Sequence, residues 1–222
     1  MTDRAAALPH PLSALALRAA LGLGVALSVI VAIVALGSGS GRIALPFEMS
    51  LVDRRLPVVF RIHMISSAIV LLLLPLAIAV RFRPRLHRSI GWTLGAFVVA
   101  GGLTAIPVAI FSFSWWPARI GFCVQGLVWL WLFCAAVSSI RQGDRRGHAH
   151  LMLAMAAVTT GAVWFRLATG TALLFDWPFD PVYAASAWLA WLVPLALVGH
   201  YAEPLGRWAF KTPPLAPRPV IR

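Results

Sequence analysis

The residues of this chain that could do chemistry are a few histidines and one arginine. His87 with Arg88, His148 with His150, and His200 with Glu203 stand at the ends of three separate apolar stretches. Neutral imidazole binds haem iron and transition metals, and axial ligation of haem requires two histidines on neighbouring helices at one depth. His87, His148 and His200 are therefore candidate cofactor ligands, with haem b as the first cofactor to consider. The same residues would also suit another metal, a proton relay, or contacts with lipid headgroups. A second cluster centres on Arg166, eighteen residues after His148, or five helical turns. That spacing puts the two on one stripe about 27 Å apart. Met152, Met155 and Thr159 fall near this stripe, which is expected to face a bundle interior, whereas Leu153 and Val163 are expected to face lipid. His63 and Gln125 reach the depth of Arg166, and Asp176 and Asp180 follow in the next loop. The expected outer cluster is His63, Gln125, Arg166 and a loop carboxylate such as Asp176. It is either a substrate site or a simple Arg166–carboxylate pair with His63 capping a helix end.

These residues draw attention because of what surrounds them. The chain has 222 residues, 60% hydrophobic and 12% charged, with mean hydropathy +0.85. Soluble domains carry about 25% charged residues, so the composition argues against a water-soluble enzyme, a disordered chain or a disulfide scaffold. A membrane-spanning helix needs about 20 mostly apolar residues. Six stretches qualify, near Leu12–Leu36, Val58–Val80, Ser89–Phe111, Ala118–Ile140, Ala149–Leu174 and Pro181–Ala202. The first is longer than the apolar region of a signal peptide and lacks a clear cleavage site, so it is expected to be a retained anchor. The expected fold class is all-α, a polytopic transmembrane bundle of six spans. Its expected organisation is an anchor helix and outer loop over 1–57, a five-helix core over 58–204 and a Pro/Arg-rich tail over 205–222. Ionisable side chains at membrane depth are costly, which is why Arg166 and the histidines stand out.

The net charge of +12 would suggest nucleic acid in a soluble protein, but here it follows the connections. Arg81, Arg83, Arg85 and Arg88 fill one short connection, and Arg141, Arg145 and Arg146 fill another. Arg207, Lys211, Arg218 and Arg222 end the chain, and Arg4 is near its start. On the other side Glu48 and Asp53 offset the arginines, and the loop with Asp176 and Asp180 is purely acidic. The positive-inside rule then places both termini in the cytoplasm. Acidic lipid headgroups are the expected partners of the inner arginines, and nucleic acid is not needed.

Other features narrow the chemistry. Cys123 and Cys134 lie about 16 Å apart on one helix, too far for a disulfide, and are expected to be small buried interface residues. Pro75, Pro107 and Pro194 fall inside spans and are expected to kink them. Gly91 and Gly95 allow close helix packing. No internal repeat is evident, and no nucleotide-binding loop, nucleophile elbow or metalloprotease helix appears. A dihaem arrangement of the cytochrome b561 type needs two histidine pairs. The inner face can supply one, but His63 has no histidine partner at its own depth, which leaves room for one haem.

Several of these residues recur together in a known pattern. Leu86-His87-Arg88-x-x-Gly91, preceded by His63 and followed by Gly143-Asp144, His148, Met152 and Arg166, resembles a family of bacterial predicted membrane proteins classed as a domain of unknown function. Gly121-Phe122 and Trp129 resemble its fourth-helix pattern, and the resemblance runs from about Arg61 to Pro194. The chain departs from the pattern in having Ala149 and Leu151 where a basic and an aromatic residue usually stand. The resemblance implies a multi-pass protein of the bacterial inner membrane, singles out His63, His87, His148 and Arg166, and supplies no reaction. Three functions remain open: a redox membrane protein with a haem or a quinone-facing site, a small-molecule or proton transporter, and an accessory subunit docked on a membrane-protein partner.

Overall fold

The computed structural model describes residues 11–210, so Arg4, Lys211 and the rest of the Pro-rich tail lie outside the described residues. The described residues form eight helices: α1 (Pro11–Gly39), α2 (Phe47–Arg55), α3 (Pro57–Ala79), α4 (Pro84–Ile110), α5 (Trp116–Arg141), α6 (Arg145–Leu174), α7 (Phe179–His200) and α8 (Ala202–Phe210). Six of them, α1 and α3 to α7, are long and apolar enough to cross a membrane, as the sequence predicts. Proline marks their starts. Pro57, Pro84 and Pro117 occupy the first turns of α3, α4 and α5, where a missing N–H costs nothing. Pro75, Pro107 and Pro194 lie inside helices.

Two ends of the bundle can be distinguished. The α3–α4 and α5–α6 turns, with α8, make up a basic end; α2 and the α4–α5 and α6–α7 turns make up the opposite, α2 end. The two short helices are too short for a hydropathy pattern to reveal, and tertiary contacts hold both. Asp53 of α2 accepts two hydrogen bonds of 3.0 Å from Arg61, which holds its carboxyl below the ordinary carboxylate range. Arg55 lies over the rings of Phe111 and Phe113, tying α2 to the α4–α5 turn. At the other end, Arg81 reaches the Ala209 carbonyl and lies over Trp208 of α8.

The centre of the bundle is α6, which touches α1, α3, α5, α7 and α8. Val70, Leu74, Leu94, Val98, Trp129, Leu132, Met155, Val158 and Trp191 form the main core. Met155 and Thr159 face inward as expected, but Val163 does not face lipid. It is buried against α1 and α3, among Ala32, Phe60, Met64 and Ala68. A helix with neighbours on most sides keeps only a narrow lipid face, here carrying Trp164 and Leu167. Cys134 also departs from expectation, since it is exposed while Cys123 is half-buried.

The α5–α6 turn accounts for the Gly143-Asp144 pair. Gly143 adopts φ +84°, a left-handed conformation that suits glycine. Asp144 then caps α6, accepting from the Gly147 N–H at 2.8 Å and the Ser139 hydroxyl at 3.1 Å. Both bonds hold its carboxyl below the ordinary value of 3.8. The stability this cap contributes is therefore fully present above the ordinary value and is lost as pH falls through the lowered one. Asp144→Ala should lower the midpoint of thermal unfolding in detergent by a few degrees at pH 7. Asp144→Asn should keep that midpoint and remove the part of the acid sensitivity that wild type shows below pH 4.

Candidate functional site

Four side-chain nitrogens inside the two central hairpins end on carbonyls of the paired helix. In the α3–α4 hairpin, Nδ1 of His63 bonds the Gly101 carbonyl at 2.9 Å and Nδ1 of His87 bonds the Ala77 carbonyl at 3.0 Å. The α5–α6 hairpin repeats this arrangement. Nε2 of Gln125 donates to the Val158 carbonyl at 3.2 Å, and Nδ1 of His148 bonds the Ala136 carbonyl at 2.9 Å. The repeat is invisible in the sequence because the shared element is a hydrogen bond to backbone, and because glutamine replaces histidine at one of its four places.

The hairpins bring His87 and His148 together at the basic end, with ring centres 6.4 Å apart and planes at 85°. A carbonyl can only accept, so Nδ1 carries the proton in both rings and Nε2 keeps the lone pair that a metal requires. His200 is not part of this pair; it is exposed, with its ring against Tyr201. His150 instead bonds the Ala202 carbonyl at 2.9 Å, and Gly206 leaves room for its ring under α8. Among the described residues no group of three or more His, Cys, Asp or Glu is placed to hold a metal ion.

Toward the α2 end the bundle holds a partly open cavity of about 250 Å³. His63, Gln125 and Arg166 all line it, so the structure brings together three of the four residues of the expected outer cluster. Asp176 is not among the lining residues. It is exposed and ends α6 in a left-handed conformation, φ 53°, which aspartate tolerates. Asp180 lies in the first turn of α7 and also makes no pair with Arg166. The guanidinium of Arg166 donates to Ala162 of its own helix at 2.8 Å, and among the described residues no carboxylate lies within ion-pair distance of it.

The carboxylate that does line the cavity is Glu48, in the first turn of α2. In the sequence Glu48 reads only as an offset to nearby arginines. The available signal was Pro46 followed by Glu48, Met49 and Val52 at helical spacing. Tyr183 and Ser112 carry no such signal, whereas Trp129 belongs to the fourth-helix pattern noted above. Trp129 donates to the Thr159 hydroxyl at 2.8 Å, and that hydroxyl donates to the Met155 carbonyl, which closes the deep end of the cavity. Phe122, Phe165 and Tyr183 pack edge to face, with centres 4.9–5.9 Å apart, beside Arg166.

Fold and side-chain placement thus define a helical membrane protein with polar groups gathered at two depths. Residues 60–201 match the family described as Predicted membrane protein (DUF2306), and the chain belongs to it. No curated protein and no solved structure matches the chain. The motif residues Leu86-His87-Arg88 and Gly143-Asp144 with His148 are the two basic-end turns, and Arg166 is the cavity cation.

Close packing maintains this geometry. A Cβ on Gly161 would stand 2.9 Å from both Gln125 Nε2 and Trp191 Cβ, whereas one on Gly91 would meet nothing within 4 Å. Gly161→Ala should therefore destabilise by about 1–3 kcal/mol through overpacking. Gly91→Ala should leave stability unchanged or higher. Thermal unfolding of the two variants in one detergent checks the pair, and equal midpoints would contradict close packing at Gly161.

Proposed function

We propose that this chain is a membrane redox protein that holds one b-type haem between His87 and His148. The observation that carries the reading is the meeting of two imidazoles from different hairpins at the basic end. The rings of His87 and His148 are 6.4 Å apart, and each has Nδ1 anchored to a carbonyl. A haem needs only two protein ligands, because the porphyrin supplies the rest of the coordination. When bound, it would supply one-electron chemistry. The protein's own part is to fix both tautomers through the Ala77 and Ala136 carbonyls and to keep Nε2 unprotonated.

The test is an optical spectrum of the purified protein, oxidised and then dithionite-reduced, after expression with ample haem. A Soret band with a sharp reduced α-band is expected. It should be lost in His87→Ala and in His148→Ala and kept in His200→Ala and His63→Ala. A featureless wild-type spectrum, or loss of the band in His63→Ala alone, overturns the assignment.

We further propose that the protein sits in the bacterial inner membrane with its basic end toward the cytoplasm, where Arg81, Arg83, Arg85, Arg141, Arg145 and Arg146 meet acidic headgroups. Alkaline phosphatase fused after Arg42 should be active and fused after Gln142 inactive. The opposite pattern would invert the orientation.

A further inference from the structure

The cavity toward the α2 end has no part in holding the proposed haem, yet its polar groups are left incompletely used. Ser112, at the end of α4, has a buried hydroxyl with no hydrogen-bond partner among the described residues. An unsatisfied buried hydroxyl is costly, so its presence requires an explanation. Arg166 has five N–H donors, and one nitrogen is engaged, on the Ala162 carbonyl. Acceptors face the same space. His63 has its Nδ1 proton on Gly101, which leaves the Nε2 lone pair free, and Gln125 donates to Val158, which leaves its amide oxygen free. Much of the remaining wall is apolar or aromatic, including Phe60, Phe122 and Phe165, with Glu48 and Tyr183 also lining the space.

We infer that this cavity binds a lipid-soluble quinone or its quinol. A flat ring fits walls made of aromatic edges. Such a head carries two oxygens, which can accept from Arg166 and Ser112 and, in the quinol form, donate to His63 and Gln125. An apolar tail matches the Val31, Ala35, Met64 and Leu71 lining. Preferring an electron carrier to other flat amphiphiles rests on the redox reading above; the binding itself does not require haem. A fatty-acid carboxylate, the other amphiphile an arginine could attract, has no redox form that donates to the His63 and Gln125 acceptors, as the quinol does. Glu48 at the α2 side would repel its carboxylate.

The experiment is calorimetric titration of decylubiquinone, in both redox forms, and of oleate into the purified full chain in mild detergent. Saturable binding of decylubiquinone, with oleate at least tenfold weaker, is expected. Ser112→Ala should weaken quinone binding about five- to tenfold, the worth of one hydrogen bond, while leaving unfolding of the ligand-free protein unchanged or slightly later. Arg166→Gln should weaken it further. Because Arg166→Gln could fail to fold, Ser112→Ala carries the decision. No quinone binding, oleate binding as tightly as decylubiquinone, or unchanged affinity in Ser112→Ala overturns the inference. Titrating His87→Ala separates the two readings. Binding that persists without a Soret band leaves the cavity assignment standing, and a Soret band without binding overturns the cavity assignment alone.

Discussion

In hydrocarbon a side-chain N–H has no water to bond, so leaving one unpaired is costly, and the commonest oxygens there are backbone carbonyls. His63, His87, His148 and Gln125 each reach across to the neighbouring helix for one. Trp188 of α7 does the same to the Pro117 carbonyl of α5. These bonds join helices in pairs and fix each pair's register, because a donor of fixed length reaches only one carbonyl. They also fix which nitrogen of each histidine is protonated, and so determine what the ring can do next. A contact made for packing thereby sets the chemistry.

The second constraint is the position of α6. A helix that touches α1, α3, α5, α7 and α8 needs small residues where neighbours crowd it, and Gly161 and Ala157 supply them. It can also carry a charge that a lipid-facing helix could not. Arg166 lies on α6 beside α3 and α7, with the Phe122–Phe165–Tyr183 cluster around it. The guanidinium is therefore sheltered from lipid by protein on several sides, which lowers the cost of keeping it charged at that depth.

The sequence is legible wherever one residue type has one physical use. Six apolar stretches give six spans, and proline at the first turn marks where three of them begin. The depth argument that grouped His63, Gln125 and Arg166 holds because helical rise is constant, so counting residues from a span's end is a measurement. Asp176 fails the same argument because loops have no constant rise. Its backbone terminates α6, and α2 takes the place beside the cavity that the α6–α7 loop was expected to fill. Val163 fails because periodicity gives a helix's faces but not how many neighbours it has. Glu48, Ser112 and Tyr183 come from three separate elements, and only tertiary packing brings them to one cavity.

The repeated hairpins explain why the two ends of the bundle differ. Each hairpin places one ring or amide near each end, so the bundle begins with equivalent opportunities at both. At the basic end both hairpins present an imidazole with Nδ1 on a carbonyl and the Nε2 lone pair left over. At the α2 end the pair is His63 with Gln125. An amide cannot replace imidazole as a haem ligand, but its free oxygen adds an acceptor beside the His63 lone pair. Arg166 and Ser112 then supply donors that a haem site would not use. Substituting one residue type in a repeated framework therefore changes which donors and acceptors an end presents. The framework remains intact, because glutamine still makes the carbonyl bond that holds α5 to α6.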